Sequence, residues 1–75
     1  MFHYVIYQDP KDQPFPFVVR RWKIEAGDMT PEGKLWGVAR NEVGLNHLRS
    51  DLRGMGLTRI PRFLCDDPCI LEVWI

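Results

Sequence analysis

Seventy-five residues, with ten Lys or Arg against ten Asp or Glu, leave room for one domain over residues 1–75 and give it no formal net charge. Overall charge therefore gives no reason to invoke nucleic acid, a membrane surface or an acidic partner. The apolar share of 45% is that of an ordinary globular chain, and no apolar run is long enough to span a bilayer.

The start, Met1 to Tyr7, has no basic leader or small-residue cleavage site, so a reducing cytoplasm with two free thiols is the expected setting. Phe2 to Gln8 is rich in aromatic and β-branched residues and reads as a strand. Asp9 to Pro16 holds three prolines, each fixing φ and lacking a donor, and reads as a loop. Phe17 to Ile24 is a second strand with Val18, Arg20, Trp22 and Ile24 on one side and Phe17, Val19, Arg21 and Lys23 on the other. Thr30-Pro31-Glu32-Gly33 has the proline and glycine placement of a type I turn, and Lys34 to Arg40 follows as a third strand, antiparallel to the second.

The helix is the clearest element, expected near residues 42–55. Asn41 suits the N-cap, Glu42 the positive end of the dipole, and Arg49 and Arg53 the negative end. Leu45, Leu48, Leu52 and Met55 form one apolar stripe, and Gly56 with Leu57 fits a Schellman ending. Gly44 weakens the first turn. Thr58 to Leu64 is a short strand held to an edge by Pro61; Asp66-Asp67-Pro68 is a turn, and Cys69 to Ile75 a last strand. The fold class is thus α+β: a mostly antiparallel sheet of four to five strands with one helix on one face, in the order β-β-β-α-β-β.

One helix covers one side of a sheet, so the most apolar strand faces are expected beneath it. These are Val18, Trp22 and Ile24; Leu35 and Ala39; and Leu71, Val73 and Ile75, with Phe2, Tyr4 and Ile6 able to join them. The opposite side then collects Arg21, Lys23, Lys34, Trp36, Arg40, Glu72 and Trp74, a wet face both basic and aromatic, with Arg20 as a misfit on the core side. Interleaved aromatic and cationic side chains can stack bases and hold phosphates, yet they also stabilise sheets by cross-strand pairing or fill a dimer interface.

No chemistry-bearing motif accompanies that face. Cys65-Asp66-Asp67-Pro68-Cys69 lacks the second ligand pair of a zinc site, and its spacing differs from a redox pair. The aspartates at positions 9, 12, 66 and 67 sit beside prolines in turns, where adjacent side chains point apart. A charged flank of Arg49, Arg53, Arg59 and Arg62 is read as solvated. The expectation is a non-catalytic module without metal or cofactor. It would bind a protein partner, or itself as a homodimer, through an uncovered sheet face or edge carrying Arg21, Lys23, Lys34, Trp36, Arg40 and Trp74. Nucleic-acid binding by the same face is the alternative.

Overall fold

The computed structural model describes residues 1–11, 13–60 and 68–75. Strand β1 (Phe2–Gln8) pairs with β2 (Phe17–Glu25), and β2 turns into β3 (Asp28–Pro31). After a short excursion β4 (Gly37–Ala39) returns to β2; helix α1 (Glu42–Gly54) follows, then β5 (Arg59–Ile60) and β6 (Ile70–Trp74). Every ladder is antiparallel, and the sheet order is β3-β2-β1-β6-β5 with β4 also on β2. The architecture is the expected α+β one, with six strands because residues 25–40 supply two short strands, not one. Of the strand expected over 58–64, Arg59–Ile60 is observed, with Thr58 exchanging backbone hydrogen bonds with Ile75 just before it; residues 61–64, Pro61 and Arg62 among them, with Cys65 and Asp66-Asp67 of the expected turn, lie outside the described residues, as does Asp12.

The extra strand comes from a hairpin turn that the proline-bearing segment had obscured. Ala26 and Gly27 have φ of 49° and 84°, the paired positive values that a two-residue type I′ turn demands. The expected turn at Thr30–Gly33 gives way to a ladder running to Pro31, opposite Trp22. Beyond it, Glu32 N donates to Arg21 O and Trp36 N to Val19 O, so residues 32–36 step outward between two pieces of the same edge.

The helix forms as its sequence dictates. Asn41, extended at φ −155°, accepts from the Gly44 amide at 2.9 Å. At the other end Gly56 N reaches Arg53 O and Leu57 N reaches Leu52 O, with φ 83° at Gly56: both bonds of a Schellman cap. Gly44 has a purpose that helix propensity hides: a Cβ there would lie 3.1 Å from Ala39 Cβ, so its absence lets the first turn settle close to β4.

Directly paired residues share a sheet face, which fixes what lies under the helix. Tyr4 and Ile6 of β1 oppose Arg21 and Val19 of β2 on one flank, and Trp74 and Glu72 of β6 on the other. The core is Tyr4, Ile6, Phe17, Val19, Ala39, Leu45, Leu52 and Trp74, with Trp36, Leu48, Leu57 and Leu71 packed against it. Tyr4, Ile6 and Ala39 were expected there; Val18, Trp22, Ile24 and Val73 were not meant to be on the far side, where the register puts them. The reason is local. On β2 the helix side begins with Phe17 and Val19, and only its second half turns cationic. On β6 the volume of Trp74 outweighs the charge of Glu72. A register shift between Ile6 and Tyr7 then lets Leu71 reach the core as well.

Candidate interaction surface

The mixed set singled out from sequence lies largely on one side of the sheet, but on the helix's side. Trp74 is 2% exposed, a core residue instead of a surface one. Trp36 is half-buried, its ring meeting Tyr4 edge-on at 5.3 Å and 76°. Arg21 holds Glu32 through two 2.9 Å hydrogen bonds and lies 4.3 Å over the Phe2 ring. The Glu32 hydrogen bond, helped by Tyr4, raises the Arg21 pKa further above its ordinary value, so this charge is permanent. Lys23 pairs with Glu25 at 3.1 Å. Lys34 and Arg40 are exposed, and among the described residues neither has an acidic partner; Arg40 sits 5.8 Å from the Phe15 ring. The six residues therefore do not assemble into an open basic and aromatic platform.

Arg20, the expected misfit, lies on the side away from the helix and donates to Glu32 O at 2.6 Å. Glu32 is thus gripped from both faces of the sheet. Glu72, placed by the sequence reading on the open face, is 5% exposed beneath the helix. Its carboxylate accepts from Arg49 Nε at 2.6 Å and Arg59 Nη1 at 3.3 Å. The arginine flank that looked merely solvated is what ties α1 to β5 and β6, with Arg53 5.8 Å from the Trp74 ring. Burial of Glu72 is tolerable only because of these donors.

A cleft of about 210 Å³ lies where α1 meets Phe17 and Leu71, rimmed by Gln8, Glu42, Asn46 and Arg49. It is smaller than the roughly 300 Å³ at which pockets for drug-sized ligands begin. Arg49, its strongest group, is already engaged by Glu72 and by Asn46 at 3.1 Å. Among the described residues no cluster of His, Cys, Asp and Glu could share a metal ion, and no helix is long and apolar enough to cross a membrane.

A further apolar surface combines Trp22 and Ile24, both expected in the core, with exposed methionines. On the side away from the helix, Val5 and Val18 in the middle of the sheet are already buried, at 6% and 2%. Toward the β2–β3 turn the same side opens. Ile24 N donates to Met1 O and Ile24 opposes Met29, so Met1, Ile24 and Met29 form one cross-strand row. The next row is His3, Trp22 and Pro31. Met1 is 81% and Met29 56% exposed; Pro31 is exposed, and Ile24, Trp22 and His3 are half-buried. The Ala26-Gly27 dipeptide was the available signal: read as a hairpin turn, it places Met29 across from Ile24. The chain matches no protein-family model, and neither the curated proteins nor the solved structures contain a match to it.

Proposed function

We propose that the chain is a small non-catalytic interaction module that docks a protein on the row Met1, Ile24 and Met29 and the Trp22–Pro31 row beside it. One observation carries this reading: two methionines stand exposed in register with Ile24 on the side that the helix does not cover. Exposed contiguous apolar patches on small domains are often functional, and methionine is the residue of adaptable binding surfaces. Of the residues expected from sequence, Lys34 and Arg40 are exposed cations near the β4 margin with no acidic partner among the described residues, where they would favour acidic neighbours on a partner.

The nucleic-acid alternative draws less support. Trp74 lies under the helix, and Arg21 and Lys23 are each paired with a glutamate, so stacking groups and free cations are not interleaved on one surface. A chain with two cysteines in place of a disulfide framework suits a reducing compartment such as the cytoplasm.

Site-specific photo-crosslinking tests the docking reading. A photoreactive residue at position 29 is expected to yield a discrete protein adduct in cells. The same residue at Val43, an equally exposed apolar position on the helix, is not. Equal yields at both positions, or no adduct at 29, would sink the proposal.

A further inference from the structure

We propose that Met29, with Met1 across Ile24 from it, is a reversible oxidation site that switches the docking surface off. The inference rests on the docking reading above and adds its regulation.

The placement of sulfur carries it. The chain has three methionines and all are exposed, Met1 at 81%, Met29 at 56% and Met55 at 51%, so none belongs to the core. Oxidation of any of them therefore puts no polar oxygen among the packed side chains that hold the fold. Two of the three stand in one row on either side of Ile24, whereas Met55 caps the helix. Met29 lies on β3, an edge of the sheet, so solvent reaches it from the flank as well as from above.

The chemistry needs only a peroxide. The Met29 sulfur lone pair attacks one oxygen of hydrogen peroxide and the O–O bond breaks. The departing hydroxide takes the proton left on the transferred oxygen and becomes water. Sulfur loses two electrons, the peroxide gains them, and a polar S=O stands where a thioether was. A dithiol acting through a methionine sulfoxide reductase removes that oxygen as water and is itself oxidised to a disulfide, which restores the row. A sulfoxide at this position keeps its water, and burying it against an apolar partner without a hydrogen bond weakens docking by about tenfold. A docked partner covers the same sulfur, so the oxidant acts on the undocked chain.

Treatment of the purified chain with dilute hydrogen peroxide, followed by peptide mapping, tests the site. Met1 and Met29 are expected to gain one oxygen each while circular dichroism and the urea midpoint stay unchanged. In a Met55→Leu background the oxidised chain should leave a hydrophobic-interaction column earlier. Methionine sulfoxide reductases with dithiothreitol should restore its retention, and dithiothreitol alone, which reverses only cysteine oxidation, should not. The switch is read from a photoreactive residue at Pro31, exposed on the same side as Met29, in a chain oxidised and freed of peroxide before it meets cell extract. Its adduct yield should fall severalfold; Met29→Leu should keep most of its yield, and Met55→Leu should lose it as the wild type does. A Met29 that resists peroxide, an oxidation that unfolds the chain, unchanged retention or a yield indifferent to oxidation overturns the inference. The failures are separable: equal adducts from reduced and oxidised chains remove the switch and keep the docking surface, whereas a reduced chain that yields no adduct from position 29 or 31 removes both.

Discussion

Replacing Arg49 by Ala asks how much the helix depends on one buried carboxylate. Glu72 is 5% exposed and opposes Ile6 in the middle of the sheet, so its charge is held away from water. Arg49 supplies the shorter contact, 2.6 Å, from a side chain only 25% exposed; Arg59 supplies 3.3 Å from one that is 58% exposed. Breaking a fully buried pair costs about 3–5 kcal/mol because the remaining charge is stranded. Partial exposure of Arg49 and the surviving Arg59 contact reduce this to about 2–3 kcal/mol, near the upper range for a hydrogen bond to a charged group. Arg59→Ala, which removes an exposed partner, is expected to cost at most about 1 kcal/mol. For a chain of 75 residues a total stability of about 4–11 kcal/mol is usual, so the first loss is a large share of it. Urea unfolding followed by tryptophan fluorescence and circular dichroism reads it out. With a slope near 1 kcal/mol/M, the midpoint falls by about 2–3 M. A double-mutant cycle with Glu72→Ala should return a coupling energy of at least about 1 kcal/mol. If Arg49→Ala and Arg59→Ala cost the same, or if Arg49→Ala costs less than about 0.5 kcal/mol, the clamp is not what fastens the helix.

Three further substitutions bear on the fold. Ala26→Asn puts the preferred residue at a φ of 49° and should raise stability by about 0.5–1.5 kcal/mol in the same unfolding assay; a loss would mean that the turn is misassigned. Trp74→Ala should cost about 3–5 kcal/mol as a core truncation. Trp74→Phe should cost markedly less, because it also deletes a buried indole N–H that has no acceptor among the described residues; equal losses for the two would contradict this. Gly44→Ala should fail to deliver the roughly 1 kcal/mol that helix propensity promises, because its Cβ would meet Ala39 at 3.1 Å; a full gain would show that β4 yields freely.

The helix was legible almost to the residue, since its determinants are local: Asn41 at one end, Gly56 and Leu57 at the other, leucines between. The first two strands and the last were legible for the same reason. Sidedness was not. Alternation divides Phe17, Val19 and Arg21 from Val18, Arg20 and Trp22 without saying which set meets the helix, and both sets mix aromatic, aliphatic and cationic residues. That choice is made by tertiary contacts, Trp74 against Tyr4 and Glu72 between two arginines, which join residues far apart in the chain. The Met29 surface was hidden by the same ambiguity, compounded by a turn centred on Ala26, where an alanine conceals a left-handed backbone.

The outer edge of β2 is shared: β3 lies along residues 22–25 and β4 along 17–19. Between them the excursion is fastened at Glu32 and Trp36 and exposed at Gly33 and Lys34. Two short ladders on one strand need not open together. The β2–β3 hairpin can fray from its tip without disturbing the helix, whereas loss of β4 strips Ala39 from beneath Leu45 and Leu48 and takes the helix with it. Hydrogen exchange would therefore divide this edge into a fast and a slow cooperative unit. The exposed Gly33–Lys34 step between them could take added residues at a closure cost that grows only with the logarithm of their number.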